Sequence, residues 1–439
     1  MTLLRALLAA LLPFVLATAA AAQPRPPARD SLDAIARDYV QLVLELGERD
    51  EGYVDAYYGP PGWRTAARAN PRTLPQLAEG ARALSRRLAA IPARPGTRTG
   101  RRQLFLSAQL TAASTRLRML QGERLSFREE ARGLYGVEPR LRPLRDFDPI
   151  LARVDRLVPG DGPLAGRVEA FMARFTIPRE RLDAVMRAAI AECRRRTIAH
   201  IPLPRGEHFT LEFVTGRSWS GYNWYQGNYN SLIQVNTDQP ARMGRVIDLG
   251  CHEGYPGHHA YNMLLERNLA RGRGWVEFMV YPLYSPQSFI AEGSANYGIE
   301  LAFPGHERLA FERRVLYPLA GIPDAGADVY IQLQDAIRDL SGARIAIAAD
   351  LLDGRIDRAE AIRRTQRYSL ASESRARQSI AFTEQYRSYV INYGLGRELV
   401  GGFIEWGGTR DPQTRWARLE RMLSEPFLPG GLPGAGTVP

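Results

Sequence analysis

The chain has no lysine: all 58 of its basic residues are arginine. That absence excludes Schiff-base chemistry and a Ser-Lys nucleophile. No Gly-x-Ser-x-Gly elbow and no phosphate-binding glycine loop occurs, so serine-hydrolase and nucleotide-binding readings fall away. Cysteine is nearly absent, with only Cys193 and Cys251. An oxidising compartment permits a bridge between them, but sequence alone does not place their Cα atoms. The expectation for Cys251 is burial as a small side chain, facing about 100° away from His252 on a helix. Long apolar runs are also scarce. The one clear case runs from Ala6 to Ala22, behind Arg5 and ahead of Gln23. With Ala20 and Ala22 where signal peptidase reads, it has the form of a secretory signal peptide and not of a membrane span. Cleavage is expected near Ala22, with export to the periplasm or beyond and no stable membrane insertion afterwards. The net charge is +11, yet the arginines are interleaved with acids and no recognition motif accompanies them, so nucleic acid is not an expected partner.

Histidine is the scarce residue that is not scattered. Three of the six histidines fall in residues 252–259, His-Glu-Gly-Tyr-Pro-Gly-His-His. A His-Glu pair followed closely by another His is the core of a zinc hydrolase site, the imidazoles holding the metal and the carboxylate serving as base. A second pair, His306-Glu307, has no histidine after it and supports no metal. The spacing is unusual. His252 and His258 are six apart, which on a straight helix means ~9 Å of rise and ~120° of rotation. Pro256 and Gly257 supply the remedy, because proline breaks the helix and glycine tolerates the turn that follows. The expectation is a break at Tyr255 to Gly257 that swings His258 toward His252, with His259 in a supporting position behind the ligands. A catalytic zinc needs a third ligand and an open position. Ser285-Pro286 reads as a helix start and Pro304 as its stop. Between them Glu292, Asn296 and Glu300 lie on one face at intervals of four. Glu292 is the expected third ligand, and Asn296 the residue that orients the ligands.

Three segments resemble a bacterial family of unknown function whose signature is His-Glu-x-x-Pro-Gly-His-His. That family is assigned to the gluzincin metallopeptidases and is remotely similar to the carboxypeptidase Taq family. The segments are HEGYPGHH at 252–259, EGSANYGIE at 292–300 and INYGLGRELV at 391–400. Ser294 stands where the family has Trp, and Cys251 stands where a nonpolar residue is expected. The resemblance implies that His252, His258 and Glu292 bind one zinc ion and that Glu253 is the general base. It matches Tyr393 to a tyrosine of the family, a donor for the oxyanion, with Tyr389 one turn earlier as the alternative. Gluzincins also place an edge strand beside the metal. The β-prone run at 229–238 is the candidate here, with Asn230, Gln234 and Asn236 as substrate-binding residues for an added peptide strand. The preceding run from Trp219 to Tyr229 reads as a pocket loop or a surface turn. Arg387 and Arg397, near Tyr393, are candidates to hold a substrate carboxylate.

Helical periodicity recurs at 31–48, 73–91, 100–121, 163–199, 239–255, 286–303, 325–352, 357–367 and 372–393, with strand signals at 209–214 and 231–236. The sequence therefore reads as a mostly α, gluzincin-like metallopeptidase with a small sheet beside the metal-site helix. Its expected parts are a signal peptide (1–22), a flexible lead-in (23–30), a helical half walling the cleft (31–204), a catalytic half (205–428) and a disordered tail (429–439). Three functions fit: a zinc metallopeptidase hydrolysing short peptides, with an exopeptidase of carboxypeptidase or dipeptidase type among its forms; a metal-dependent hydrolase of non-peptide amides or esters; and a non-catalytic envelope protein with a structural metal.

Overall fold

The computed structural model describes residues 30–92 and 94–435. The signal peptide, residues 23–29 of the lead-in and the last four residues of the tail lie outside them. Helices dominate. The first group is α1 (Leu32–Gly47), α2 (Pro61–Ala69), α3 (Leu74–Ala89), α4 (Arg98–Leu120), α5 (Phe127–Tyr135), α6 (Asp148–Leu157), α7 (Leu164–Ala173) and α8 (Leu182–Ile198). The metal motif spans α9 (Met243–Leu249) and α10 (His258–Leu265), which face α11 (Pro286–Ala302). After these come α12 (Glu307–Phe311), α13 (Tyr317–Ala320), α14 (Ala327–Asp339), α15 (Ser341–Leu352), α16 (Arg358–Tyr368), α17 (Glu373–Tyr386), α18 (Ile391–Ile404) and α19 (Pro412–Ser424).

Local chemistry explains where these helices begin. Ser31, Thr73 and Ser126 cap α1, α3 and α5 through their hydroxyls, the last two in reciprocal boxes with Gln76 and Glu129. The stripe Ile35, Tyr39, Leu42, Val43, Leu46 is wholly buried, as its 3.6-residue period demands. Two long periodic stretches divide. The 163–199 pattern breaks between α7 and α8 around Pro178, and the 325–352 pattern breaks at Leu340. Ser285 does not cap α11 through its side chain; its hydroxyl donates to the Pro282 carbonyl at 2.7 Å, and Pro286 opens the helix.

Five strands complete the described residues. β1 (Val54–Tyr57) pairs antiparallel with β5 (Val280–Pro282). β2 (His208–Val214), β3 (Gly221–Gly227) and β4 (Asn230–Asn236) form a second sheet in the order β2-β4-β3. β4 runs parallel to β2 and antiparallel to β3. The 219–229 run is therefore largely a strand, and the 229–238 run is the centre of its sheet, not an edge.

One hydrophobic core runs from Ile35 to Ala435 and takes in both halves of the chain. The tail belongs to it through residue 435: Pro429–Gly431 is a short 3₁₀ turn, and Leu432 and Ala435 are buried. The expected disordered tail is thus ordered over that stretch, because Leu432 has apolar surface to cover. The core also holds the two cysteines, which form a disulfide with Cα atoms 5.4 Å apart. It ties α8 to the residue before His252. Replacing both cysteines by serine is expected to lower the unfolding free energy by ~2–4 kcal/mol, read by urea denaturation. An unchanged midpoint would contradict this anchoring role.

Candidate metal centre

α9 widens into a single π turn at Gly250–Gly254, which carries His252 and Glu253. Tyr255 is extended, the Tyr255–Pro256 peptide is cis, and α10 begins at His258. Gly257 has no substitute here, because a Cβ on it would lie 1.9 Å from the His252 carbonyl oxygen. Gly298 of α11 makes room for the turn, since a Cβ there would lie 2.7 Å from the Pro256 ring. The expected break therefore occurs. It places the Nε2 atoms of His252 and His258 3.1 Å apart.

Glu292 of α11 closes the group. Its Oε2 lies 3.2 Å from His252 Nε2, and its Oε1 lies 3.5 Å from His258 Nε2. Among the described residues these three side chains form the one group able to hold a metal ion. One ligand atom from each of the three side chains lies within 4.8 Å of the other two, close enough to share an ion that holds its ligands at ~2.1 Å. Oε2 of Glu292 is buried without a hydrogen-bond partner, as a ligand atom would be. The residues fit a metal with three protein ligands.

Tyr389 holds Glu292, donating its hydroxyl to Oε1 at 2.7 Å. Asn296 does not take that part. Its amide donates to the Glu292 main-chain carbonyl at 2.8 Å, and its side chain lines the cavity. His259 also departs from expectation. It is buried beneath the turn, with Nδ1 2.7 Å from Ser231 Oγ and Nε2 3.2 Å from Glu207, and it meets none of the three ligands. Glu207 is pulled down to about 2: burial opposes this, but His259, Tyr255 and Arg194 outweigh it. This network fastens the turn to the sheet.

Electrostatics around the triad are strong. Burial works against the charge on Glu292, yet His258 and His252 hold its carboxyl well below the ordinary range. Burial likewise opposes charge on His258, but Glu292, Glu253 and Asp55 push it up to about 9. Glu253 is buried and raised, chiefly by burial. Its main-chain carbonyl accepts from the Asn223 amide at 2.7 Å. Gly221 of β3 leaves room for its carboxylate, because a Cβ there would lie 2.7 Å from Oε1. Asp55 of β1 is a participant that sequence reasoning missed. Burial raises it to about 7, and its Oδ1 accepts from the Tyr222 hydroxyl. The pairing of β1 with β5 and its packing on β3 bring it here, and no local motif marks it.

A cavity of about 970 Å³ opens over these groups, lined by Asp55, Tyr222, Glu253, Asn296 and Tyr393 among others. The Tyr393 ring stacks 6.4 Å from the His252 ring, at 20° between planes. Asn230, Gln234 and Asn236 do not line the cavity. Asn230 bonds Gln226, Gln234 bonds Trp224 and Glu212, and Asn236 holds the carbonyls of Arg217 and Trp219. Because β4 is central, its main-chain groups are already paired on both sides. The strand at the cavity is β3, through Gly221, Tyr222 and Asn223. Ser294 is buried and bonds the Ala291 carbonyl, so the position does not shape the cavity. Arg387 and Arg397 are occupied by Glu130 and Glu300.

No family model matches the chain, and no curated protein does. Among solved structures it is similar to one described as "the putative lipoprotein from Colwellia psychrerythraea", at 16% identity and a TM-score of 0.48. The match covers 89% of this chain and 72% of that one. A likeness this distant assigns neither family nor function.

Two outcomes follow from the geometry. His258 binds its proton more tightly in the folded, metal-free protein than at the ordinary value of 6.5, so this stabilisation is full below 6.5 and lost as pH rises through about 9. Metal-free protein should lose thermal stability across that interval, whereas a bound metal replaces the proton and should remove the trend. Identical profiles with and without metal would contradict the assignment. Tyr389→Phe should weaken metal binding ~10- to 100-fold, the effect of losing a hydrogen bond to a ligand, measured by competition with a chelator. Unchanged affinity would show that Tyr389 does not hold Glu292 in place.

Proposed function

We propose that this chain is an exported zinc metallopeptidase that hydrolyses short peptides. The observation that carries the reading is the triad of His252, His258 and Glu292, whose ligand atoms lie within 4.8 Å of one another, beside the buried carboxylate of Glu253 in an open cavity. Two imidazoles and one carboxylate favour zinc over harder metals. When bound there, zinc polarises a carbonyl and acidifies water.

The protein's own groups supply the rest. Glu253, whose proton affinity burial has raised, takes a proton from the attacking water. It then passes that proton to the departing amine. Tyr393 offers its hydroxyl to the oxygen that gains charge, from a ring stacked beside His252. β3 ends its sheet on the cavity side, so an extended peptide main chain can add along Gly221 to Asn223 as a further strand.

Export is supported by the apolar leader from Ala6 to Ala22 and by the disulfide, a bond that persists in oxidising compartments. No helix among the described residues is long and apolar enough to cross a membrane. A structural metal has no need of a buried carboxylate beside it, which favours catalysis over a purely structural role.

The test is mass spectrometry of a mixed peptide library after incubation with the zinc-loaded mature protein, run beside Glu253→Gln. The expected outcome is cleavage by the wild type and loss of rate by ~10²-fold or more in the variant, with metal content unchanged. No cleavage by the wild type would reject the peptidase reading. Equal cleavage by both would reject Glu253 as the base.

A further inference from the structure

The cavity is rich in arginine, and most of these arginines already have partners. Arg308 pairs with Asp248 and Glu312, Arg338 with Asp335, Arg397 with Glu300, and Arg415 with Glu405. Arg245 reaches Asp248 only at 3.9 Å, and Arg308 already holds that carboxylate.

Arg344 of α15 is different. It lines the same cavity, and its Nε is buried with no hydrogen-bond partner. No carboxylate among the described residues acts on it: burial and Arg245 disfavour its charged form, and only Tyr393 favours it. Its guanidinium lies over the rings of Phe382 and Tyr393, at 5.6 and 6.0 Å. Those rings flank the guanidinium and leave its Nε without a partner. Arginine stays charged even when buried. Arg344 is half-buried, and a partly desolvated cation without a counter-ion is costly, so an anion entering the cavity would satisfy it.

Resting on the peptidase reading above, we propose that Arg344 receives the C-terminal carboxylate of the substrate and makes the protein a C-terminal exopeptidase. The distances suit this. The Tyr393 ring lies 6.4 Å from the His252 ring and 6.0 Å from the Arg344 guanidinium. Both groups flank Tyr393, so they lie at most ~12 Å apart, and one or two extended residues of ~3.3–3.6 Å each come within that span. Water adds across that peptide bond. Its oxygen goes to the carbonyl carbon and its protons end on the new termini, and a free amino acid or dipeptide is released. A planar guanidinium and a carboxylate meet through two parallel hydrogen bonds, a geometry that a C-terminal amide cannot reproduce.

The experiment compares a peptide with its C-terminal amide and its N-acetylated form, using wild type and Arg344→Gln, both zinc-loaded. Wild type should trim the free acid and the acetylated peptide from the C-terminus by one or two residues. Its kcat/KM on the amide should be ~10- to 100-fold lower, the effect of losing hydrogen bonds to a charged group. Arg344→Gln should lose that acid-over-amide preference, mainly through KM, at an unchanged melting temperature. Arg344→Lys, which keeps the charge but not the fork, should recover only part of it. The proposal is overturned if wild type cleaves acid and amide alike, if acetylation blocks cleavage, or if Arg344→Gln lowers both rates equally. If no peptide is cleaved, calorimetry on zinc-loaded Glu253→Gln with the same free acid and amide decides. A free-acid preference that disappears on adding Arg344→Gln upholds the carboxylate anchor while the peptidase reading fails, and no preference ends both.

Discussion

Burying a carboxylate without a counter-charge costs several kcal/mol, and Glu292 is buried on a helix with hardly any exposed face. His252 and His258 offset that cost from one side, and Tyr389 offsets it from the other. Much of the local architecture serves this meeting. The π turn and the break at Tyr255 to Gly257 bring two histidines from separate helical segments to one point. Small residues on α11 let its neighbours approach closely: a Cβ on Gly293 would lie 2.6 Å from the Gly396 carbonyl of α18, and one on Gly298 would meet Pro256. α18 follows directly on the segment carrying Tyr389. The pieces that supply the triad and its support are therefore packed backbone against backbone, which leaves the ligands little freedom to drift.

The N-terminal half does more than wall the cleft. Glu130 of α5 accepts from the Ser388 main chain and hydroxyl at 3.0 and 2.7 Å, and from Arg387 at 2.8 Å. Arg387 has a positive φ of 54°, a conformation that a non-glycine residue keeps only when its surroundings hold it. The next residue but one is Tyr389, which holds Glu292. A chain of contacts thus runs from α5 through the 387–389 turn to Glu292 of the candidate metal triad. β1 contributes Asp55 directly to the cavity. Together with the single core, these contacts make the two halves one working unit.

What was legible in the sequence had a local signature. The clash geometry of Pro256 and the freedom of Gly257 announced the break, and the four-residue spacing of Glu292, Asn296 and Glu300 announced an inward polar face. What was not legible depended on tertiary pairing. The β-prone run at 230–236 reads as a strand from composition, but its place between β2 and β3 is set by partners distant in sequence. Asn230, Gln234 and Asn236 consequently read as substrate-facing in the sequence, whereas they bond neighbouring strands and loops. Asp55 sits in an unremarkable strand, and nothing near it in sequence signals a metal site. Two cysteines separated by 58 residues meet only because α8 lies beside the π turn. His259 shows the same limit at the shortest range. It is adjacent to a ligand in sequence, but the start of α10 turns it into the core.

The central claim is that His252, His258 and Glu292 hold a metal with one coordination position left for solvent or substrate. X-ray absorption at the zinc edge on the purified, zinc-loaded protein tests it most directly. The expected spectrum is that of one ion per chain with two imidazole nitrogens, one carboxylate oxygen and one solvent oxygen at ~2.0–2.2 Å, a pattern that His258→Ala should abolish. A spectrum unchanged in His258→Ala, a fourth ligand from the protein, or no stoichiometric metal at all would contradict it.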